Sequence, residues 1–314
     1  MNGKIRVLVT GGNGFLGRAI VKALMVGRDF NVAALIRGAG FELDVPFSRI
    51  DEMDGLTSYL SILNDVDVIV HAAARNYVVS DKSIDPLAEY RRVNVEATVN
   101  LARQAAAVGV KRFVFISSIK VNGESTPLGK PFTATDVPHP EDFYAVSKLE
   151  AEQALLQISA DSGMQVVIIR PPLVYGPGVK GNFASMMRIM AKGLPLPLGA
   201  VDNRRSLVGL DNLLSVIIRC IDHPVAAGRV FLVSDGEDLS TTQLLQRLAA
   251  SGGYKTLLIP VPVWFLQLAA RMLGKRDVAQ RLLRSLQVDI EETCRLLEWR
   301  PVYSVNEGLA KIYK

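Results

Sequence analysis

Apolar and polar positions fall into short blocks whose period switches repeatedly along the first half of the chain. Val7, Leu8 and Val9 read as a short buried strand, and Arg18 to Met25 reads as a helix. Between them lies a turn with Gly11, Gly14 and Gly17 spaced G-x-x-G-x-x-G. Further strands are predicted at Asn31 to Ile36, up to Ile50, and at Val66–Val70, Lys111–Ile116 and Val166–Ile169. Val93 to Val108 places Val93, Ala97, Leu101, Ala105 and Val108 at helical spacing and stops at Gly109. Asp142 is placed to cap another helix, which carries Tyr144 and Lys148 and runs on through Leu155 to Ile158. The Pro-, Gly- and Thr-rich segment 122–140 is long enough for a lid or a wall.

This alternation predicts an α/β fold, a Rossmann-type doubly wound parallel sheet. The regularity ends near Gly176. Helices at Phe183–Met190, Asp211–Ile221 and Ser240–Ala250, with a strand at Val230–Val233, predict a smaller C-terminal α/β substrate lobe. The expected division is 1–170 and 171–314, the second part sending a strand or helix back to the main sheet.

Composition narrows the function classes. At 49% hydrophobic residues with no low-complexity stretch, a folded core is expected. The 36 basic residues are spread out and form no run interleaved with aromatics, so the net charge of +5 points to small anionic ligands and not to nucleic acid. Cys220 and Cys294 stand far apart, and His71, His139 and His223 lack ligand spacing, so neither a disulfide framework nor a metal site is expected. The first strand begins almost at Met1, which leaves no room for a signal peptide and predicts a cytoplasmic protein. Leu257 to Ala270 is the most apolar stretch, but its 14 residues include two prolines, and a spanning helix needs about 20. Trp264, Phe265 and Leu268 beside Arg271, Lys275 and Arg276 would suit a bilayer surface. A helix packed on the substrate lobe or in an oligomer contact is the favoured expectation.

The candidate chemistry begins at the glycine turn. Placed after a strand and before a helix, it offers a dinucleotide pyrophosphate close backbone approach and the open N–H groups of a helix N-terminus. The end of the second strand should meet the adenosine ribose, and Arg37 stands there in place of an acid. A guanidinium suits a 2′-phosphate, so NADP(H) is favoured, with NAD(H) the alternative. Asp51 is a candidate acceptor for the adenine amine. Small residues at Ala72, Ala73 and Ala74 would let a cofactor ribose lie close, and His71 reads as a packed strand-end residue. Tyr144 and Lys148, four apart, share one helix face, and Ser118 stands at a strand end. The ammonium would favour the phenolate, so that Tyr144 moves a proton while hydride passes between cofactor and substrate carbon.

With these residues in view, the chain resembles the extended short-chain dehydrogenase/reductases, in their nucleotide-sugar epimerase/dehydratase/reductase branch. The matching segments are TGGNGFLG at 10–17, HAAA at 71–74, VNVEAT at 93–98, SSIKVNG at 117–123, YAVSK at 144–148, RPPLVYGPG at 170–178, RRSLVGLDNL at 204–213 and EWRP at 298–301. The resemblance implies Ser118, Tyr144 and Lys148 as catalytic, with Asn94 in support. It implies cofactor contacts at Gly11, Asn13, Gly14, Phe15, Leu16, Gly17, Arg37, Asp51, Ala72, Ala73, Ala74 and Pro171. Arg75, Asn182 and Arg205 would meet the substrate, Arg205 at its diphosphate. The Asp-Glu pair by which dehydratases remove water is replaced by Ile119 and Lys120, which argues against elimination.

SSIKVNGE and the chain length are most similar to enzymes of bacterial surface-polysaccharide (O-antigen, lipopolysaccharide) sugar biosynthesis. The exchangeable cofactor suggested by Arg37 makes the expected reaction NADPH-dependent reduction of the C4 ketone of a UDP-4-keto-6-deoxy-N-acetylhexosamine. The alternative is a UDP-sugar (glucose or N-acetylglucosamine) 4-epimerase with tightly bound NAD. A non-catalytic NADP-binding sensor is a further alternative, disfavoured by the presence of Ser118, Tyr144 and Lys148 together. A homodimer is a further expectation left open.

Overall fold

A computed structural model describes residues 3–27, 29–38, 44–76, 83–179, 181–274 and 276–313. The side chains of Asn182, Arg276 and Asp277 also lie outside the described set. The first half supplies β1 (Ile5–Thr10), α1 (Phe15–Val26), β2 (Phe30–Arg37), β3 (Phe47–Ile50), α2 (Leu60–Leu63), β4 (Val68–His71), α3 (Pro86–Arg91), α4 (Ala97–Ala107), β5 (Arg112–Ile116), α5 (Phe143–Ser162) and β6 (Gln165–Arg170). After these come β7 (Leu173–Tyr175), α6 (Gly181–Ala191), β8 (Arg205–Gly209), α7 (Leu210–Asp222), β9 (Arg229–Leu232), β10 (Asp238–Leu239) and α8 (Thr241–Gly252). Four helices end the chain: α9 (Val263–Met272), α10 (Arg276–Leu283), α11 (Glu291–Leu296) and α12 (Val305–Lys311).

Seven strands form one parallel sheet in the order β3-β2-β1-β4-β5-β6-β9. Successive side chains on a strand point to opposite faces, and here both faces are covered, so the strands read as continuous apolar runs. Val7, Val9, Val70, Val114 and Ile169 meet α1 and α7 on one face. Leu8, Ile69, Phe113, Phe115 and Ile168 meet α4 and α5 on the other. The fold is the expected Rossmann-type doubly wound sheet. Strand order reverses between β1 and β4, and in open α/β sheets ligands gather at the strand C-termini beside such a reversal.

The chain after 171 contributes both β9, paired with β6, and α7, which covers the α1 face. It also builds a three-stranded sheet, β10-β8-β7, over a separate core of Tyr175, Phe183, Leu207, Leu245, Leu248 and Leu309.

Two expectations differ from the structure. The helix predicted from Val93 begins at Pro86, capped by the Asp85 carboxylate, and passes through a wide π turn at Arg92–Glu96 before α4. Within Pro86–Arg91 only Leu87 and Tyr90 are large apolar residues, too few to reveal a period. The apolar stretch divides: Leu257–Ile259 bridges to Leu196 and Leu258 packs on the lobe core as expected, whereas α9, which follows, has no buried residue among its ten. No helix among the described residues is long and apolar enough to cross a membrane.

Candidate active site

A cleft of about 410 Å³ opens over the C-terminal ends of β1, β2, β4, β5 and β6. It is lined by the glycine turn, Arg37, Ala72–Ala74, Ser117, Ser118, Tyr144, Lys148 and Pro171, among others. Gly11, Asn13, Gly14, Phe15, Leu16 and Gly17 all face it.

The glycines are required by contact distances. Gly11 has φ +70°, and a Cβ there would sit 2.9 Å from the Ala73 backbone. A Cβ on Gly17 would be driven into the Gly11 carbonyl group. The turn therefore brings backbone, with no intervening side chain, to the start of α1, whose cap residue Gly14 has no side-chain acceptor for the first N–H groups. That arrangement suits a pyrophosphate.

Polar side chains hold the facing Ala72–Ala74 wall. Thr10 Oγ1 accepts from the Ala73 N–H at 3.3 Å and shares a 2.8 Å hydrogen bond with His71 Nδ1. His71 is fully buried, with Thr98 Oγ1 3.0 Å from its other ring nitrogen. Burial, with a smaller contribution from the nearby Lys148 charge, lowers its pKa to about 3, so it is a neutral packed residue as expected. At the far end of the wall Asn94, buried in the π turn, accepts from the Arg75 N–H at 2.8 Å and donates to the Arg75 carbonyl at 3.1 Å. Asn94 also donates to Ser147 Oγ, which in turn donates to the Tyr144 carbonyl. It does not line the cleft; it ties the cofactor-side wall to the tyrosine helix.

Asp142 caps α5 by accepting from the Ala145 N–H at 2.7 Å. This sets Tyr144 in the first turn and Lys148 one turn later. Tyr144 and Ser118 both line the cleft, and Ser118 is close enough to the Tyr144 hydroxyl to draw its pKa down. Part of the Tyr144 ring stays accessible from the cleft, but its surroundings are dense enough that desolvation raises the hydroxyl pKa, opposed by Ser118. Burial lowers Lys148 to about 7, and its Nζ lies 4.2 Å from the centroid of the Phe115 ring. The expected help of the Lys148 ammonium to the phenolate is opposed by the burial of both groups. Desolvation weakens charge on both groups, and it dominates for each.

Several supporting residues were not among the expected site residues. Glu152 lies one turn beyond Lys148 and pairs with Arg170 at 2.5 Å, with both side chains buried. The same carboxylate accepts from Ser117 Oγ, and Arg170 donates to Asn122 Oδ1 at 2.9 Å. The network thus clamps β5, α5 and β6 beneath Ser118 and Lys148. Tyr90 packs edge-on to Tyr144 with centroids 6.1 Å apart, and the Arg75 guanidinium lies 5.4 Å from the Tyr90 ring centroid. The spacing of Tyr144 and Lys148 was visible; Glu152 and the partners across the fold were not.

The other expected residues lie apart. Asp51 is exposed and outside the cleft lining, although its neighbours Ile50 and Met53 line it. Arg205, on β8, is likewise outside the lining and donates to the Arg284 carbonyl at 3.0 Å; burial lowers its pKa. Asn182 falls in the first turn of α6, with its side chain outside the described residues. Lys120, in a dehydratase acid–base position, is instead 2.6 Å from both Glu124 and Asp142. Among the described residues no group of His, Cys, Asp and Glu is placed to hold a metal ion.

Residues 7–234 match the model of the NAD dependent epimerase/dehydratase family. The chain belongs to that family. It is 48% identical over 303 residues to the UDP-glucose 4-epimerase of Vibrio cholerae, covering 96% of this chain and 92% of that one. A GDP-6-deoxy-D-mannose reductase of Pseudomonas aeruginosa is 29% identical over 98% of this chain and 95% of its own length. The UDP-N-acetylglucosamine 4-epimerase of Bacillus cereus has the same fold, with a TM-score of 0.80 at 22% identity, covering 99% and 98% of the two chains. The expected NADPH-dependent 4-keto reductase is thereby corrected: the 48% relative is an epimerase, and the reductase is far more distant. That expectation rested on Arg37, one exposed side chain at the cleft rim. Reduction and epimerisation at C4 share the tyrosine, lysine and serine chemistry, so these residues do not separate the two. The preference for NADP(H), drawn from the same arginine, loses its support with it.

Proposed function

We propose that this protein interconverts the C4 epimers of a UDP-hexose and keeps NAD bound between turnovers. The observation that carries the reading is 48% identity to a UDP-glucose 4-epimerase along 96% of the chain. The cleft residues fit it. Gly11, Gly14 and Gly17 would take the cofactor pyrophosphate, with Asn13, Phe15, Leu16, Ala72–Ala74 and Pro171 along its length, and Arg37 and Asp51 at its adenosine end. Arg75, Asn182 and Arg205 are proposed on the substrate side, Arg205 toward the diphosphate.

When bound, NAD would supply the hydride acceptor and donor for carbon C4. With its phenolate favoured by the positive charges of Lys148 and of the bound nicotinamide, Tyr144 would take the C4 hydroxyl proton as hydride leaves C4, and would give it back when hydride returns to the opposite face. Ser118 donates a hydrogen bond to the same oxygen and keeps it beside Tyr144. Lys148 contributes its charge from one helical turn away. The overall reaction is redox-neutral, so no outside reductant is consumed.

The test is to incubate the purified protein with UDP-glucose without added cofactor and follow UDP-galactose by NMR. The expected result is an equilibrium mixture. Tyr144→Phe should keep the native circular dichroism spectrum and lose about 100- to 10,000-fold in rate. Absence of UDP-galactose, with UDP-glucose left unchanged, would overturn the reading.

A further inference from the structure

We propose that α9, α10 and the chain just before them dock the protein on an anionic membrane surface. Apolar side chains that folding would ordinarily cover stand in solvent here. Trp264 is 66% exposed, Phe265 51%, Met272 82% and Leu273 71%. Trp264, Phe265, Leu268 and Met272 recur at helical spacing, so α9 presents them on one side. Leu257, Ile259 and Val278 extend the same exposure to either side of the helix.

Charge selects the occupant. Basic residues are spread along the chain, but the excess is not. Residues 255–284 hold six of the 36 basic residues and one of the 31 acidic ones, a formal +5. The remainder of the chain balances to zero, so the whole net charge of +5 sits in this segment. A second copy meeting this segment across a two-fold axis would bring together two segments that each carry +5. An anionic bilayer instead accepts aromatic and aliphatic side chains at the headgroup boundary while Lys and Arg reach the phosphates. A ten-residue helix is too short to span a bilayer, which suits a surface attachment.

The segment has a firm base. Asn203 Nδ2 donates to the carbonyls of Leu282 and Arg284 at 3.2 and 2.9 Å, and the Leu286 N–H donates to the Arg204 carbonyl at 2.8 Å. Docking would therefore carry β8, and Arg205 with it, to the membrane together with α9 and α10.

The experiment is flotation of the full-length protein with phosphatidylcholine vesicles, with and without phosphatidylglycerol, at low and high salt. The double variant Trp264→Asp, Phe265→Asp is compared, and its epimerisation rate without lipid confirms that it folds. Wild type should float with the anionic vesicles, more weakly at high salt, and the double variant should lose at least about tenfold in partitioning at unchanged lipid-free turnover. Sedimentation velocity runs in parallel. Wild type that stays unfloated, or a double variant that floats equally well, overturns the proposal. So does a wild-type dimer that the same substitutions dissociate without any lipid binding, which assigns the face to a second copy.

Discussion

At the scale of single residues, desolvation sets the electrostatic character of the site. His71, Tyr144 and Lys148 are each pushed toward the neutral form by their surroundings. For His71 the consequence is a pH-dependent stability. Its pKa falls from an ordinary 6.5 to about 3 on folding, so the unfolded chain binds the extra proton between those values. Stability from this residue is complete above pH 6.5 and is lost as pH falls toward 3, with a slope of up to about 1.4 kcal/mol per pH unit. Urea denaturation of His71→Gln should show a shallower acid slope than wild type. Identical slopes would remove His71 as the source. The hydrogen bonds of the neighbouring Thr10 and Thr98 were not legible in the sequence, because a threonine shows its partner only after the chain has folded.

Among the elements, α5 joins chemistry to scaffold. Its cap at Asp142 and the four-residue step from Tyr144 to Lys148 are local, so they were legible from spacing. What Glu152 does was not legible, since Arg170 lies on β6 and Ser117 follows β5. Truncation would leave the Arg170 guanidinium buried without its carboxylate. Glu152→Ala should cost about 3–5 kcal/mol in chemical denaturation, and Glu152→Gln less, because the amide keeps an acceptor oxygen. A loss under about 1 kcal/mol for the alanine variant would show that Arg170 finds another partner. The π turn at Arg92–Glu96 is a similar case. Asn94 read as a poor helix former, and its bonds to Arg75 and Ser147 give the reason for its presence.

On the scale of the whole molecule, the two halves of the chain share one sheet. Removing everything after Arg170 would strip β9 from β6 and α7 from the face formed by Val7, Val9 and Val114. A fragment of residues 1–170 should therefore lack a cooperative urea transition, with exposed apolar surface detectable by dye binding. A sharp transition in the fragment would show that the first half folds alone. By itself the sequence determined the strand–helix alternation, the glycine turn, the tyrosine helix and the family resemblance. These depend on neighbours within a few positions, where periodicity and steric demand act directly. It also carried the concentration of net charge in residues 255–284. Tertiary structure alone decided which residues clamp the cleft wall, how far burial shifts Tyr144 and Lys148, and that one side of α9 lies uncovered. Each of these depends on what chain segments distant in sequence bring to, or withhold from, a given side chain. Desolvation and pairing are properties of that assembled surrounding, and no local pattern encodes it.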